Sequence, residues 1–247
     1  MSRGKLGRSM ERKIAPFPKV EIETSSYCNR RCPTCVRNSY PDRTKVESWF
    51  TENYLPDDVV YNLIDQLEKM SFRGDLGLQH YNEPLLDPRI VNFGKYAKTK
   101  NIFNEVSFHT NGDFLAPEMI ENLDGVFHRI SISLFHYPMH QFKKTKIVLV
   151  GDDHITSHFS PKPDFDTLVQ RNRDAPCDYP FRGMYVNHLG EFLLCCEDFL
   201  GHFDLGNVKD RTLEELWFSE KHQEILLNLE KPNSRHLYPH CAICSRR

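Results

Sequence analysis

Residues 28–35 read Cys-Asn-Arg-Arg-Cys-Pro-Thr-Cys and bring three thiols together, Cys28, Cys32 and Cys35. Steps of four and then three residues also trace one face of an α-helix, where free cysteines would pack as small apolar groups. Pro33 opposes that reading. Inside a helix it would delete a backbone hydrogen bond and clash with the carbonyl of Asn29, at a cost of ~3 kcal/mol. Asn29, Arg30 and Arg31 suit a strand no better. The stretch is expected to be a loop whose three sulfurs turn inward around a shared occupant, with a fourth position left open.

Outward from the loop, strand and helix patterns alternate. Val20–Glu23 reads as a short strand leading straight into it. Asp57–Met70 has helical spacing of Val60, Leu63, Ile64 and Leu67, just after Pro56. Leu76–His80 is strand-like, and Asn82-Glu83-Pro84 makes a turn before a helix over Pro88–Ala97. A strand over Glu105–His109 is closed by Asn111-Gly112. Pro117–Leu123 then reads as a helix, and Arg129–Leu134 and Lys146–Val150 as strands. This is the α/β pattern of a parallel sheet or barrel. Five strands are signalled rather than eight, so a partial (β/α) barrel is expected. Residues 1–18 form a basic arm, 19–155 the barrel core and 156–175 a proline-bearing, charged connecting segment. Residues 176–247 form a small second domain of β-hairpin plus helix.

The 247 residues are 39% hydrophobic and 27% charged, with a net charge of −2. That balance does not point to nucleic acid. No run of eighteen apolar residues is present, and the basic start has no apolar stretch behind it, so neither a membrane span nor a secretory signal is expected. A cytoplasmic location follows as an expectation. There thiols stay reduced, and eight cysteines are ligands or redox groups rather than disulfides. They sit at two ends: three in the loop, then none until Cys177, Cys195, Cys196, Cys241 and Cys244.

At the C-terminal end, Met184–Asn187 and Glu191–Leu194 flank His188-Leu189-Gly190 as a hairpin that brings Cys195 back towards Cys177. Thr212–Leu229 reads as a helix with a Thr212/Glu215 capping box, returning the chain to Cys241 and Cys244. Four residues separate Gly190 from Cys195, and that spacing makes Cys195 the expected ligand and Cys196 a spare; neighbouring strand residues face opposite sides, so the two should not both reach one metal. Glu197 and Asp198 are expected to cap the nearby turn. Structural zinc suits four thiolates, and a distant histidine would complete a zinc site at the first loop. A [4Fe–4S] cluster takes one thiolate per iron. Three cysteines then leave one iron open to a small ligand, whereas four close the second centre.

The CxxxCxxC form, placed after the first strand, resembles the radical S-adenosylmethionine (SAM) superfamily. Tyr81–Pro88, "YNEPLLDP", resembles the family's Gly-Gly-Glu-Pro segment, with Asn82 in place of a glycine. "HTNG" at His109–Gly112 and "SISL" at Ser131–Leu134 fall after and on the matching strands. The resemblance implies that Thr34, Asn82, Glu83, Asn111 and Ser133 lie beside SAM. It also implies that Cys28, Cys32 and Cys35 hold a cluster whose open iron chelates SAM. The stretch from Gly190 to Trp217, "GEFLLCCEDFLGHFDLGNVKDRTLEELW", resembles the short "twitch" form of the SPASM domain. That implies a second [4Fe–4S] cluster on Cys177, Cys195, Cys241 and Cys244.

One member with a similar length and cysteine layout oxidises a secondary alcohol of an aminocyclitol. Oxidation of a hydroxylated small molecule is therefore expected, with a one-electron reductant such as flavodoxin or ferredoxin as partner. Asp152, Asp153 and His154, after the fifth strand, are candidate bases for the proton released. The alternatives are a peptide maturase, an epimerase using Cys196 as hydrogen donor, and a zinc-stapled binding module without catalysis.

Overall fold

A computed structural model describes residues 17–32, 35–39, 43–47, 51–133, 142–150 and 174–244. Among these the strands are β1 (Lys19–Ile22), β2 (Gly74–Gly77), β3 (Phe103–Thr110), β4 (Arg129–Ser133), β5 (Lys146–Val150), β6 (Met184–Val186) and β7 (Phe192–Leu193). The helices are α1 (Val36–Ser39), α2 (Arg43–Val46), α3 (Asp57–Lys69), α4 (Ile90–Thr99), α5 (Pro117–Leu123), α6 (Leu213–Trp217), α7 (Glu220–Leu229) and α8 (Pro239–Ala242).

The strands form one open sheet in the order β5-β4-β3-β2-β1-β6-β7. β1 to β5 run parallel, as expected of a partial barrel. β6 adds in parallel to the other edge of β1, with Val20 opposite Met184, and β7 returns antiparallel. The C-terminal hairpin thus extends the same sheet.

Alternation along the strands gives the sheet two different faces. Val20, Ile22, Leu76, Leu78, Val106, Phe108, Ile130, Ile132, Met184 and Val186 are buried in one apolar core. It also takes Val60, Leu63, Ile64 and Leu67 of α3, Phe93 and Ala97 of α4, and Ile120 and Leu123 of α5. Lys19, Glu21, Asp75, Glu105, Ser107, His109, Arg129, Ser131 and Tyr185 alternate with those residues and fall on the opposite, inner face.

Two expectations need correction. β2 begins at Gly74, two residues before the sequence-based limit. Its glycines are there because chain passes close by: a Cβ on Gly74 would lie 2.2 Å from the Pro18 carbonyl oxygen, and one on Gly77 3.0 Å from Glu21 Cγ. The helix expected over Thr212–Leu229 is two helices, broken at Phe218-Ser219. The Trp217 carbonyl leaves the helical ladder to meet His222 Nδ1 at 2.8 Å and Gln223 Nε2 at 2.9 Å, and Ser219 caps α7 at the His222 N–H. The capping box of Thr212 and Glu215 is present as expected.

Candidate active site

The cysteine loop leaves the C-terminal end of β1, where ligands gather in open parallel sheets. It closes on itself through Cys35 N–H to the Cys32 carbonyl at 3.1 Å, and Asn38 Nδ2 donates to the same carbonyl at 3.1 Å. It is clamped to the turn after β3. Arg30 Nε and Asn29 Nδ2 each donate to Asp113 Oδ2 at 2.7 Å, and Asn111 Nδ2 donates to Asn29 Oδ1 at 2.9 Å. Sequence reading missed Arg30 and Asp113, because partners so far apart in the chain leave no local signal. Burial pushes the Cys28 thiol up and that of Cys35 up to about 11, while the Arg37 cation pulls both down. Neighbouring cysteines add to the rise. Cys28 and Cys35, half-buried and crowded this way, resist ionisation alone, and a positively charged metal centre offsets that penalty.

The residues expected beside SAM are distributed unevenly. Thr34 lies outside the described residues, as do Asp152, Asp153 and His154. Asn82 sits in the turn after β2, where Oδ1 accepts the His80 N–H at 3.0 Å and Nδ2 reaches Ser25 Oγ at 3.3 Å. Asn111 caps its own turn, with Oδ1 accepting the Asp113 N–H at 2.9 Å. Ser133 ends β4 and is half-buried. The Glu83 carboxylate is turned into the protein. It accepts Leu85 N–H at 3.0 Å, Thr110 Oγ1–H at 2.6 Å and Asn111 N–H at 2.7 Å. Glu83 therefore fastens the turn after β2 to the turn after β3, and burial raises its pKa to about 7.

Tyr81, which sequence reading also missed, joins the two cysteine regions. Its N–H donates to Glu23 Oε1 at 2.9 Å, and its carbonyl accepts Arg37 Nη1 at 2.9 Å. Its phenol donates to the Cys196 carbonyl at 2.8 Å. The inner face around it is charged and hydrogen-bonded: Lys19 to Glu21 at 2.5 Å, Arg129 to Glu105 at 2.6 Å and His188 to Glu23 at 2.7 Å.

At the other end, Cys177, Cys195, Cys241 and Cys244 are all buried and line one enclosed cavity with Arg235 and His240. The structure brings together sulfurs from a loop, a strand end and α8 with the residues after it. Burial raises the Cys177, Cys195 and Cys241 pKa values, and like charge on neighbouring cysteines raises those of Cys195 and Cys241 further. Four soft donors around one closed space fit a tetrathiolate metal centre. Cys196 is not among the lining residues. Asp198 caps the next turn as expected, accepting the Leu194 N–H at 3.0 Å and the His202 N–H at 2.8 Å. The carbonyl of Glu197 meets His240 Nε2 at 2.8 Å.

Comparison with known proteins agrees with this geometry. Residues 177–245 match SPASM, an iron–sulfur cluster-binding domain. The chain is 25% identical over 217 residues to the S-adenosyl-L-methionine-dependent 2-deoxy-scyllo-inosamine dehydrogenase of Niallia circulans, covering 83% of this chain and 84% of that protein. The crystal structure of BtrN in complex with AdoMet and 2-DOIA has a TM-score of 0.74 at 22% identity, covering 94% of each chain. Native anSMEcpe with bound AdoMet has a TM-score of 0.59 at 14% identity, covering 92% of this chain and 88% of its own. These two likenesses concern the fold. Residues 22–149, just over half of the sequence, match the Radical SAM superfamily. That stretch holds the cysteine loop, the Tyr81–Pro88 turn and the parallel strands beside them, and the chain belongs to the radical SAM superfamily, enzymes that use S-adenosylmethionine and iron–sulfur clusters.

Proposed function

We propose that this chain oxidises a hydroxylated small molecule of the sugar or aminocyclitol kind, removing one hydrogen atom, one proton and one electron. The observation that carries the reading is the enclosed cavity lined by four buried cysteines, Cys177, Cys195, Cys241 and Cys244. A centre saturated by four thiolates has no position for substrate and is suited to take an electron. Similarity to a dehydrogenase that acts on 2-deoxy-scyllo-inosamine supports a polyol substrate.

Cys28, Cys32 and Cys35 would hold the first cluster and leave one iron for SAM. When bound, that pair supplies a 5′-deoxyadenosyl radical that takes hydrogen from a carbon of the substrate. Asn82, Asn111 and Ser133 lie on the turns and strand end that would border SAM, with Thr34 from the cysteine loop. Glu83 positions two of those turns rather than offering its carboxylate outward. The inner face, with Glu21, Glu23, His109 and Arg129, provides charged groups complementary to hydroxyl and amino substituents. A small one-electron donor such as flavodoxin or ferredoxin would start the cycle.

Anaerobic reconstitution is expected to give about eight irons per chain, four for each cluster. With SAM, dithionite and polyols deuterated at the carbinol carbon, label is expected in 5′-deoxyadenosine alongside a carbonyl product. Iron-free protein, or label that never leaves any polyol, would overturn the reading.

A further inference from the structure

Two buried histidines stand just past the C-terminal ends of β6 and β2, each with a carboxylate at Nδ1. His188 has a side chain 0% exposed, and its Nδ1 lies 2.7 Å from Glu23 Oε2. Its backbone N–H donates to the same oxygen at 3.1 Å. Glu23 is held rigidly, since Oε1 accepts the Tyr81 N–H at 2.9 Å. In the looser second pair, His80 Nδ1 is 3.5 Å from Glu21 Oε2. Nε2 of each histidine is buried without a hydrogen-bond partner among the described residues.

The Glu23 carboxylate can only accept, because it stays ionised with its pKa held well below the usual value; burial opposes this, and the hydrogen bonds from His188 and from the Tyr81 N–H outweigh it. Nδ1 of His188 must then carry a proton, and in the neutral ring Nε2 keeps a bare lone pair. A buried acceptor without a donor is unusual in folded proteins and calls for a use. An imidazole oriented by a carboxylate at one nitrogen is how enzymes hold a base at the other. Its place is also right. β1 and β6 are parallel neighbours, and their C-terminal ends border the mouth where ligands of such sheets sit.

We propose that Nε2 of His188, oriented by Glu23, accepts the hydroxyl proton of the substrate, an assignment that rests on the oxidation proposed above. Once the carbinol carbon has lost its hydrogen atom to the deoxyadenosyl radical, the O–H bond breaks and its proton forms an N–H bond at Nε2. The remaining unpaired electron leaves to an oxidised iron–sulfur centre, and the C–O bond becomes C=O. The substrate is oxidised by two electrons. One leaves with the hydrogen atom and one reduces the cluster.

His188→Asn tests this. The asparagine Nδ2 keeps a donor for Glu23 and removes only the base. The readouts are iron content, deuterium in 5′-deoxyadenosine and carbonyl product, each measured on the cluster-loaded enzyme. The variant is expected to hold wild-type iron. Its ratio of carbonyl product to labelled 5′-deoxyadenosine should fall roughly tenfold or more, the lower range of a lost general base. A merely structural role would lower both products together and leave the ratio at the wild-type value, which would overturn the proposal. Should the asparagine variant lose iron, Glu23→Gln gives the same reading, since it disorients the ring without removing it, and an unchanged ratio there is equally fatal. A fall in His80→Asn but not in His188→Asn would assign the proton to the other histidine and overturn the proposal too. Wild-type enzyme that moves no label from any polyol would remove the oxidation itself, and the proton assignment with it.

Discussion

The phenol of Tyr81 donates to the backbone carbonyl of Cys196 at 2.8 Å, while its own carbonyl accepts Arg37 Nη1 at 2.9 Å. One residue in the turn after β2 therefore ties the helix that follows the first cysteine loop to the strand end that presents Cys195. The ring also packs edge-on against Phe199, 6.0 Å away. Tyr81→Phe keeps the ring and deletes the bond. The expected cost is about 1 kcal/mol, which lowers the melting temperature by roughly 2–4 °C in a chain of this size. Anaerobic thermal melts check this. Chelator-driven iron loss should also quicken, more at the C-terminal centre than at the first.

Adjacent cysteines should behave oppositely. Cys195 lines the enclosed cavity with Cys177, Cys241 and Cys244, and Cys196 does not. Cys196→Ser is expected to retain full iron, whereas Cys195→Ser should lose about half of it, the share of one of two four-iron clusters. Iron analysis and Mössbauer spectra after identical reconstitution distinguish them. Equal loss in both variants would show that the strand end is turned differently.

The parallel core was legible because its signals are local. Val60, Leu63, Ile64 and Leu67 repeat at the helical period, and α5 and β5 run over the residues the pattern marks, Pro117–Leu123 and Lys146–Val150. The cysteine spacing marked the loop at one end and, at the other, the four thiols that line one cavity. What escaped was non-local. Nothing near Arg30 signals Asp113, and nothing near Tyr81 signals Cys196. The break at Ser219 escaped because Trp217, His222 and Gln223 all suit a helix. Only their mutual hydrogen bonds, made across the break, stop it. Asn82, Glu83 and Asn111 were legible as positions. The inward turn of the Glu83 carboxylate depends on Thr110 and on the backbone N–H groups of Leu85 and Asn111, which no motif records.

Gly190 sets the hairpin that leads to Cys195. Its φ is +85°, and a Cβ there would lie 2.6 Å from Asn207 Oδ1. That oxygen is already fixed by the Lys209 N–H at 3.0 Å, and the Gly190 carbonyl accepts the Val208 N–H at 2.8 Å, so neither side yields easily. Gly190→Ala is expected to cost about 1–2 kcal/mol from the left-handed backbone alone, with further loss from displacing Asn207. Thermal melts and iron content check it. Iron should leave the C-terminal centre before the first, since the strand end moves with the turn.

Glu23 and Glu83 are both buried carboxylates, yet they depart from the usual value in opposite directions. Burial raises both. At Glu23 the His188 hydrogen bond, helped by the Tyr81 N–H, outweighs it and brings the pKa to about 2. Glu83 has three neutral donors, which lower its pKa less than burial raises it, and the charge of Asp113 adds to the rise, so it stands at about 7. An unfolded glutamate titrates near 4.5. Between that value and about 7 the folded chain keeps the Glu83 proton and the unfolded chain does not, so this group's contribution to stability falls as pH rises through the window. Above about 7 the loss is complete. Glu23 acts elsewhere: its stabilisation is fully present above 4.5 and disappears only as pH drops towards 2. Glu83→Gln cannot titrate. Its urea midpoint should be lower near neutrality for lack of a matched acceptor at the Asn111 N–H, but flatter with pH than that of the wild type between about 5 and 7.5. Anaerobic urea unfolding of cluster-loaded protein across that range measures the difference in slope. Parallel curves would mean that Glu83 is ionised in the folded chain like any surface carboxylate, and that its three donors outweigh its burial.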